Sequence, residues 1–365
     1  MAAPSAACAA ASGPALAELR ELLAGSEGPL ELQLSGLEPE RCDGHCRSAR
    51  AQTLGCAAGG EPAPVASAPQ AGGTAAQPSL SFPSPLAELG IAAIEAMAAQ
   101  ASARLEGGGH AGYAEELMRA ARQAVERQFG CGSGRRIARL EQCAGGIARG
   151  EFREVYEPGR GKRHIASYVE GLKPEQPFHD PADHPWCAAL AAGTAAIRTE
   201  LQRHTASQLW ERTDGEHAYR CYAPEWRSIV LVKHGIWVAG GEFPSTEAVV
   251  RSLRGVRLVE VNLARMPPRT RIASHSDNTN FVLCAHLGLE LEEGLSTLQV
   301  GEWARQWREG QTLVFDHSYI HSAANDSDRD RYVLFCRFYH PALLDEECYA
   351  LSFLALFIDC LLRRG

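Results

Sequence analysis

The sequence predicts a mainly β fold, a sandwich or barrel with flanking α-helices and a helical, partly disordered N-terminal region. From residue 229 onward, short apolar runs alternate with turns that contain Gly and Pro, which is typical of all-β architectures. Between residues 85 and 150, apolar residues recur at helical spacing. Residues 57–85 consist mainly of Ala, Gly, Pro and Ser, and such a segment buries too little apolar surface to offset the entropy of ordering.

Length, charge and cysteine content narrow the class of protein. The 365 residues suffice for two ordinary domains or one large domain with extensions, and 45% of them are hydrophobic. The formal net charge of −8 argues against general nucleic-acid binding, which needs a basic face. No secretory segment precedes the 12 cysteines, so we expect reduced thiols and a cytoplasmic location. Organelle targeting is the alternative, because the first 17 residues lack acids and are rich in Ala and Ser.

Residues 1–84 are predicted to be a low-complexity, largely disordered region. A short helix is expected over Leu16–Leu23 and a short strand over Leu30–Leu34. Beyond them lies a group of potential zinc ligands, namely Cys42, His45, Cys46 and Cys56. Their irregular spacing favours free thiols over a zinc knuckle.

Two helical regions are expected on either side of the β domain, which we predict over residues 151–345. In the first, residues 85–150, the apolar spacing predicts helices over Leu86–Met97, Tyr113–Phe129 and Arg135–Ile147. In the second, residues 346–365, an apolar helix is expected from Tyr349 to Leu362. At 14 residues it is too short to span a bilayer, so we expect it to pack on the barrel or to contact a partner subunit through residues 349–362. No run of about 18 apolar residues occurs, so no transmembrane anchor is expected.

The β domain is predicted to begin with a strand over Ile165–Val169, followed by a helix over residues 185–204. Residues 303–308 are expected to form a polar turn or a short helix. The remaining predicted strands cover residues 229–232, 235–238, 256–263, 270–275, 280–289, 295–300, 311–316 and 331–339.

His275, Asp277 and His321 are the candidate metal ligands and catalytic residues. Residues i and i+2 of a strand point to the same face, which would bring the His275 imidazole and the Asp277 carboxylate into one cavity. His321 follows the predicted strand at 311–316 and a tight polar turn, and His317 is its competitor if that segment is helical. Two imidazoles and one carboxylate leave three positions open on Fe(II), so iron is the expected metal. Zinc with the same ligands would serve hydrolysis instead.

Arg331 is the candidate cation for a cosubstrate. 2-Oxoglutarate has a distal carboxylate, and a guanidinium matches a carboxylate through two parallel hydrogen bonds. Arg329 and Arg337 are competitors, although Arg329 lies in a charged turn where a surface role is favoured. His286 is either a core histidine or a second donor in the pocket. Arg305 is expected at the surface, and Trp307 is expected to contribute to packing.

Several motifs together resemble the aspartyl/asparaginyl β-hydroxylase family over roughly residues 255–343. They are Asn278-Thr279-Asn280, His286-Leu287-Gly288-Leu289, Trp307-Arg308-Glu309-Gly310, Val314-Phe315-Asp316, His321, Arg331 and His340-Pro341. The resemblance implies a double-stranded β-helix, a jelly-roll or cupin-like barrel, that uses Fe(II), 2-oxoglutarate and O2. It also implies that His275 and His321 bind iron, that Arg331 holds the distal carboxylate of 2-oxoglutarate, and that His286 contacts this cosubstrate.

Three positions depart from the family pattern. Asp277 stands where the animal enzymes have glycine, so this chain resembles oxygenases with a full triad. Cys284 replaces a second cosubstrate arginine, and Ala264 replaces a cosubstrate-binding serine.

From these residues we expect an Fe(II)- and 2-oxoglutarate-dependent dioxygenase that hydroxylates an unactivated carbon. The first expectation for its substrate is an Asp- or Asn-type side chain of a peptide, protein or amino acid. A non-catalytic β-barrel scaffold that binds metal or a small acid is the alternative, and the changes at Cys284 and Ala264 favour it. A zinc hydrolase is a third candidate, but no general base for it is evident in the sequence.

Overall fold

A computed structural model describes residues 91–105, 110–210 and 226–363, all of which belong to one compact unit. The predictions for Leu16–Leu23, Leu30–Leu34, the Cys42–Cys56 group and residues 57–85 lie outside the described residues. Across the described ranges, no helix has the length and apolar character needed to cross a membrane.

Seven α-helices occur in the described part of the chain. They are α1 (Ile91–Leu105), α2 (His110–Phe129), α3 (Leu140–Ala148), α4 (Trp186–Ala192), α5 (Thr194–His204), α6 (Pro244–Ser252) and α7 (Asp345–Arg363). Short 3-10 helices cover Ser133–Ile137 and Pro181–Asp183.

Thirteen β-strands occur in the same part of the chain. They are β1 (Arg153–Glu157), β2 (Gly161–Ile165), β3 (Phe178–His179), β4 (Arg227–Lys233), β5 (Ile236–Trp237), β6 (Leu258–Met266), β7 (Thr270–His275), β8 (Val282–Glu290), β9 (Ser296–Val300), β10 (Trp303–Gln306), β11 (Thr312–Phe315), β12 (His321–Asn325) and β13 (Arg331–Tyr339).

The strands form two antiparallel sheets and one hairpin. The large sheet has the order β3-β11-β8-β13-β6-β4-β5, the small sheet has the order β10-β9-β12-β7, and β1 pairs with β2. Apolar side chains from both sheets share one buried cluster, for example Cys284 and Val333 of the large sheet with Leu298 and Val300 of the small sheet. Two facing antiparallel sheets with non-sequential strand order form the double-stranded β-helix, or jelly roll. The predicted fold class is therefore confirmed.

Helices cover the outer face of the large sheet. Trp186, Leu190 and Leu201 of α4 and α5 share a buried cluster with Leu263 and Leu334 of the sheet. The buried carboxylate of Glu200 accepts hydrogen bonds from the backbone amides of Ser245 and Thr246, at 2.7 and 2.8 Å, in the first turn of α6. A carboxylate at a helix N-terminus satisfies amides that have no partner within the helix, so this contact joins α5 to α6.

The helical region before the barrel and the C-terminal helix share a second core. Leu117 of α2 and Leu140 of α3 lie in one buried cluster with Phe353 and Phe357 of α7. The predicted C-terminal helix exists, and its apolar residues pack on α1 and α2 of the same chain rather than on the barrel alone. A contact of residues 349–362 with a partner subunit stays a prediction.

Some predicted elements need correction. Residues 303–308 contain strand β10 instead of a turn or helix. All four of its side chains are exposed, so it lacks the alternation that marks a half-buried strand. The predicted strand over Ile165–Val169 was also wrong in its bounds, because β2 ends at Ile165.

The predicted helix over residues 185–204 is two helices that meet at Gly193. A Cβ atom at this position would lie 2.6 Å from Cγ1 of Val249, so only glycine allows α6 to approach this closely. Helix α6 itself and strand β12 were not predicted. The sequence of β12, His-Ser-Ala-Ala-Asn, is small and polar and gives no strand pattern.

Three buried histidines lie beside β3. The ring centroid of His179 is 5.8 Å from that of His184 and 6.4 Å from that of His340. The Nε2 atoms of His179 and His184 have no hydrogen-bond partner among the described residues. Burial lowers the pKa of all three imidazoles, and it lowers the pKa of His179 to about 4.

We expect His179 to make the fold sensitive to acid. Its pKa is about 4 in the folded state and near 6.5 when exposed, so protonation favours the unfolded chain. Its contribution is complete above pH 6.5 and is lost as the pH falls from 6.5 towards 4. Urea unfolding at several pH values should show a shallower acid-side decline in stability for His179→Gln than for the unchanged protein. Parallel declines would contradict the assignment.

Candidate active site

A cavity lies between the two sheets. Its walls are mostly apolar, but five polar or charged side chains predicted from the sequence face it. They are His275, Asp277, His286, His321 and Arg331. The barrel therefore brings the candidate metal ligands and the candidate cosubstrate residues to one place.

The pairing of β7 with β12 places the two candidate iron histidines opposite each other. His275 ends β7, His321 begins β12, and the two residues are direct partners in the antiparallel register. Their ring centroids are 4.3 Å apart. One ligand atom from each of His275, Asp277 and His321 lies within 4.8 Å of the other two, and all three residues are buried.

Asp277 reaches the histidines by a different route from the one predicted. Strand β7 ends at His275, so Asp277 lies in the loop that follows and not on the strand. The backbone amide of Asp277 donates to the carbonyl of His317 at 3.1 Å, and Asn278 has a left-handed φ of 61°. Its Oδ1 atom lies 3.8 Å from Nε2 of His275. A turn after β7, rather than the alternation of a strand, therefore brings the Asp277 carboxylate close to the His275 imidazole.

Backbone carbonyls orient both histidine rings. Nδ1 of His275 lies 2.8 Å from the carbonyl oxygen of Ala273, and Nδ1 of His321 lies 2.9 Å from that of Tyr319. A carbonyl only accepts, so each Nδ1 carries the proton and each Nε2 carries the lone pair. Burial lowers the pKa of His321 to about 3, which keeps this ring neutral at neutral pH. A neutral imidazole with its lone pair on Nε2 is the form that binds a metal.

The two oxygens of the Asp277 carboxylate have different surroundings. Its Oδ2 atom accepts from Nδ1 of His317 at 2.7 Å and from Nη2 of Arg337 at 2.8 Å. Its Oδ1 atom is buried and has no hydrogen-bond partner among the described residues. Burial alone would raise the pKa of the carboxyl, but the hydrogen bond from His317 brings it below its usual range. A buried anionic oxygen without a donor is costly, and a bound cation would remove that cost.

Arg331 presents a buried positive charge to the same cavity. Its side chain is 3% exposed, and its Nε and Nη1 atoms have no hydrogen-bond partner among the described residues. Burial lowers the pKa of the guanidinium to about 9, which leaves it charged at neutral pH. Because an unpaired buried charge is unfavourable, the site fits an anion, and a guanidinium favours a carboxylate or phosphate.

Two aromatic rings surround the Arg331 guanidinium. Its Cζ atom lies 4.2 Å from the ring centroid of Trp307. The Trp307 ring stacks on His286 with an interplanar angle of 9° and a centroid distance of 5.9 Å. Both ring nitrogens of His286 lack a hydrogen-bond partner in the described ranges, and burial lowers its pKa well below the ordinary value. Trp307 was expected only to pack, but it also holds Arg331 by a cation–π contact.

The competing residues have other positions. Arg329 is exposed, as expected for the charged turn, and Arg305 is exposed on β10. Arg337 lines the same cavity, but its Nη2 atom donates to Oδ2 of Asp277 at 2.8 Å. His317 is a hydrogen-bond partner of Asp277, a role that sequence reasoning missed because the contact joins two loops 40 residues apart.

A second group of potential ligands shares Asp277. It consists of Asp277, Cys284 and His317, with one ligand atom from each within 4.8 Å of the others. His317 already donates to Oδ2 of Asp277 at 2.7 Å, whereas Oδ1 lies 3.8 Å from Nε2 of His275 and has no hydrogen-bond partner among the described residues. The group of His275, Asp277 and His321 is therefore the better candidate for a metal.

Comparison with known proteins shows which family the barrel resembles. Residues 192–341 match the model of the family described as Aspartyl/Asparaginyl beta-hydroxylase. Residues 192–341 of the barrel are therefore similar to the aspartyl/asparaginyl β-hydroxylase family. The resemblance noted for residues 255–343 is thereby confirmed and extends back to residue 192.

Three curated relatives of this hydroxylase family show how the chain compares. The "Ornithine lipid ester-linked acyl 2-hydroxylase" of Rhizobium tropici is 30% identical over 45% of this chain and 61% of its own length. The human "Aspartate beta-hydroxylase domain-containing protein 2" is 32% identical over 36% and 37%. The mouse "Aspartyl/asparaginyl beta-hydroxylase" is 24% identical over 55% and 29%. The chain thus spans less than two thirds of the length of each of these relatives.

The two replaced cosubstrate positions, Cys284 and Ala264, both line the cavity. Cys284 lies on β8 directly opposite Arg337 of β13 and Phe315 of β11. Ala264 lies on β6, opposite Val333 of β13. Neither side chain offers charge to a cosubstrate. Arg337 also lines the cavity but contacts Asp277, so Arg331 is the better candidate for binding an anion there.

The buried thiols should resist alkylation in the folded protein. Burial raises the pKa of Cys284 and of Cys336, whereas Cys131 is exposed. Iodoacetamide treatment at pH 8, followed by peptide mass spectrometry, should label Cys131 and leave Cys284 and Cys336 unmodified until urea is added. Rapid labelling of Cys284 in the folded protein would show that the thiol is accessible and ionised.

Proposed function

We propose that this chain is an Fe(II)- and 2-oxoglutarate-dependent dioxygenase that hydroxylates an unactivated carbon. The single observation that supports it best is that one cavity contains both the His275, Asp277 and His321 group and the Arg331 guanidinium, whose Nε and Nη1 atoms have no hydrogen-bond partner among the described residues. The match of residues 192–341 to the hydroxylase family model supports the same reaction class.

The donor set fits Fe(II). Nε2 of His275, Oδ1 of Asp277 and Nε2 of His321 would hold the ion, and two neutral imidazoles with one carboxylate are the ligands of non-haem iron oxygenases. When bound, Fe(II) together with 2-oxoglutarate and O2 supplies the oxidising power that replaces C–H by C–OH. The protein holds the ligands in place before the metal binds, since the Nδ1 atoms of both rings are already engaged by carbonyls.

Arg331, His286 and Trp307 would bind the cosubstrate. In this proposal the Arg331 guanidinium pairs with the distal carboxylate, and His286 donates a hydrogen bond from a ring nitrogen that has no other partner among the described residues. Trp307 stacks on both residues and keeps water from the pair. The apolar walls, such as Leu298 and Phe315, exclude water from the cavity.

For the substrate we propose an Asp- or Asn-type side chain of a peptide, protein or amino acid, as the family's description indicates. A lipid-linked acyl chain is the second candidate. It is favoured by the Rhizobium tropici relative, which has the word "acyl" in its name and shares 61% of its length with this chain. A panel of Asp- and Asn-containing peptides, free amino acids and acylated amino acids, scored by stimulated succinate release, distinguishes the two.

Oxygenase chemistry should be observable without the natural substrate. Purified protein mixed anaerobically with Fe(II) and 2-oxoglutarate should develop a visible charge-transfer band, and admission of O2 should produce succinate. His321→Ala should abolish both signals, and Asp277→Gly tests whether the carboxylate is needed. A folded protein that shows neither band nor succinate would favour the non-catalytic scaffold that binds metal or a small acid.

Arg331→Met should weaken the response to 2-oxoglutarate. A charge-assisted hydrogen bond contributes about 1.5–3 kcal/mol, which corresponds to a roughly 10–100-fold increase in the 2-oxoglutarate concentration needed for half-maximal succinate formation. The matched control is Arg305→Met, which removes an exposed arginine from β10 and should change nothing. Equal behaviour of the two variants would remove Arg331 from the cosubstrate site.

A further inference from the structure

We infer that Arg337 and His317 are positioning residues that hold the Asp277 carboxylate so that only its Oδ1 atom is presented to the metal. The inference rests on the metal centre of the proposed function and concerns how this chain builds it. Neither residue is a member of the His275, Asp277 and His321 group.

The first argument is the geometry at Asp277. Oδ2 receives two short hydrogen bonds, one from Nδ1 of His317 and one from Nη2 of Arg337, whereas Oδ1 receives none from the described residues. All three side chains are buried, so water does not compete for these contacts. Rotation of the carboxylate would break two buried hydrogen bonds at once. The two oxygens are therefore inequivalent, and one of them is kept for a cation.

The second argument is that other contacts fix both donors. Nη1 of Arg337 lies 3.4 Å from Oε2 of Glu260, whose other oxygen accepts from Asn262 at 2.5 Å. Burial and the nearby negative charge of Asp277 both act to raise the pKa of Glu260. Arg337 thus lies between two carboxylates, and the strands β6 and β13 that carry Glu260 and Arg337 pair directly at these two residues.

His317 is fixed from its other ring nitrogen and from its backbone. Nε2 lies 3.2 Å from Oγ1 of Thr279, and the carbonyl of His317 accepts from the amide of Asp277 at 3.1 Å. The loop that follows β7 and the loop that follows β11 are therefore joined by one side-chain contact and one backbone hydrogen bond. This arrangement fixes the ring that donates to Oδ2.

Partners of metal ligands usually affect metal affinity by about 10–100-fold when they are removed. A purely structural ion pair would instead change stability and leave the metal affinity of the folded variant as it was. The binding of Co(II) separates these two roles, because its d–d absorption reports the ligand arrangement and needs neither cosubstrate nor turnover.

The test is a Co(II) titration, followed by visible absorption, of the full chain and of five variants, one of which is a control. Arg337→Met and His317→Phe should each weaken Co(II) binding by about 10–100-fold and shift the d–d bands. His317→Asn keeps an N–H near the position of Nδ1 and should restore most of the affinity, and Arg337→Lys should lie between the extremes. Arg305→Met, an exposed arginine on β10, is the matched control and should keep the original dissociation constant.

The outcomes are distinguishable from those of the proposed function. If His275→Ala abolishes Co(II) binding while folded Arg337→Met and His317→Phe bind with the original constant and spectrum, the positioning role is wrong and the metal centre stands. If the unchanged protein does not bind Co(II), the metal centre itself is wrong and this inference falls with it. Circular dichroism monitors folding; should Arg337→Met fail to fold, the two His317 variants decide the question by themselves.

Discussion

The hydrogen-bonded pairing of β7 with β12 is the constraint on which the candidate site depends. It sets His275 directly opposite His321, so both imidazoles enter one cavity from neighbouring strands. Side chains of directly opposed residues in an antiparallel pair lie within about 5.5 Å of each other at Cβ, which is the spacing that two ligands of one metal require. A shift of one residue in this register would send one ring to the opposite face of the sheet.

Charged side chains lie inside an otherwise apolar barrel, which is unusual for a β-sandwich. The cavity contains the Asp277 carboxylate and the Arg331 guanidinium, and both are buried. They do not form an ion pair with each other: Asp277 pairs with Arg337, while Arg331 lies against Trp307. A barrel evolved for stability alone gains nothing from a buried unpaired guanidinium, because burial of a charge is unfavourable without a partner. The arrangement is therefore best explained by ligands of opposite charge.

Features of the fold and of the site that depend on neighbouring residues could be predicted from the sequence, whereas contacts between residues far apart in the chain could not. Strands 270–275 and 331–339 match β7 and β13 because β-branched and aromatic residues in short runs are local signals of strands. Strand β10 is fully exposed and β12 is small and polar, so neither carries such a signal. The contact between Asp277 and Arg337 joins residues 60 apart and depends on the register of β13 and on the loop after β7. The candidate ligands could thus be selected from the sequence, whereas the hydrogen bonds from His317 and Arg337 to Asp277 could not be predicted from it.

The pairing of β8 with β13 shows what surrounds Cys284, which stands where the family has a second cosubstrate arginine. Cys284 and Arg337 are direct partners on β8 and β13, so a cation is present beside position 284 although the residue there is neutral. The Arg337 guanidinium, however, forms ion pairs with Asp277 and Glu260. Because Nη1 and Nη2 of Arg337 already contact these two carboxylates, Arg337 is a poor replacement for an arginine that would bind a cosubstrate. The carboxylate at position 277 and the cation at position 337 therefore belong to one electrostatic unit, and a change at either residue alters the other's environment.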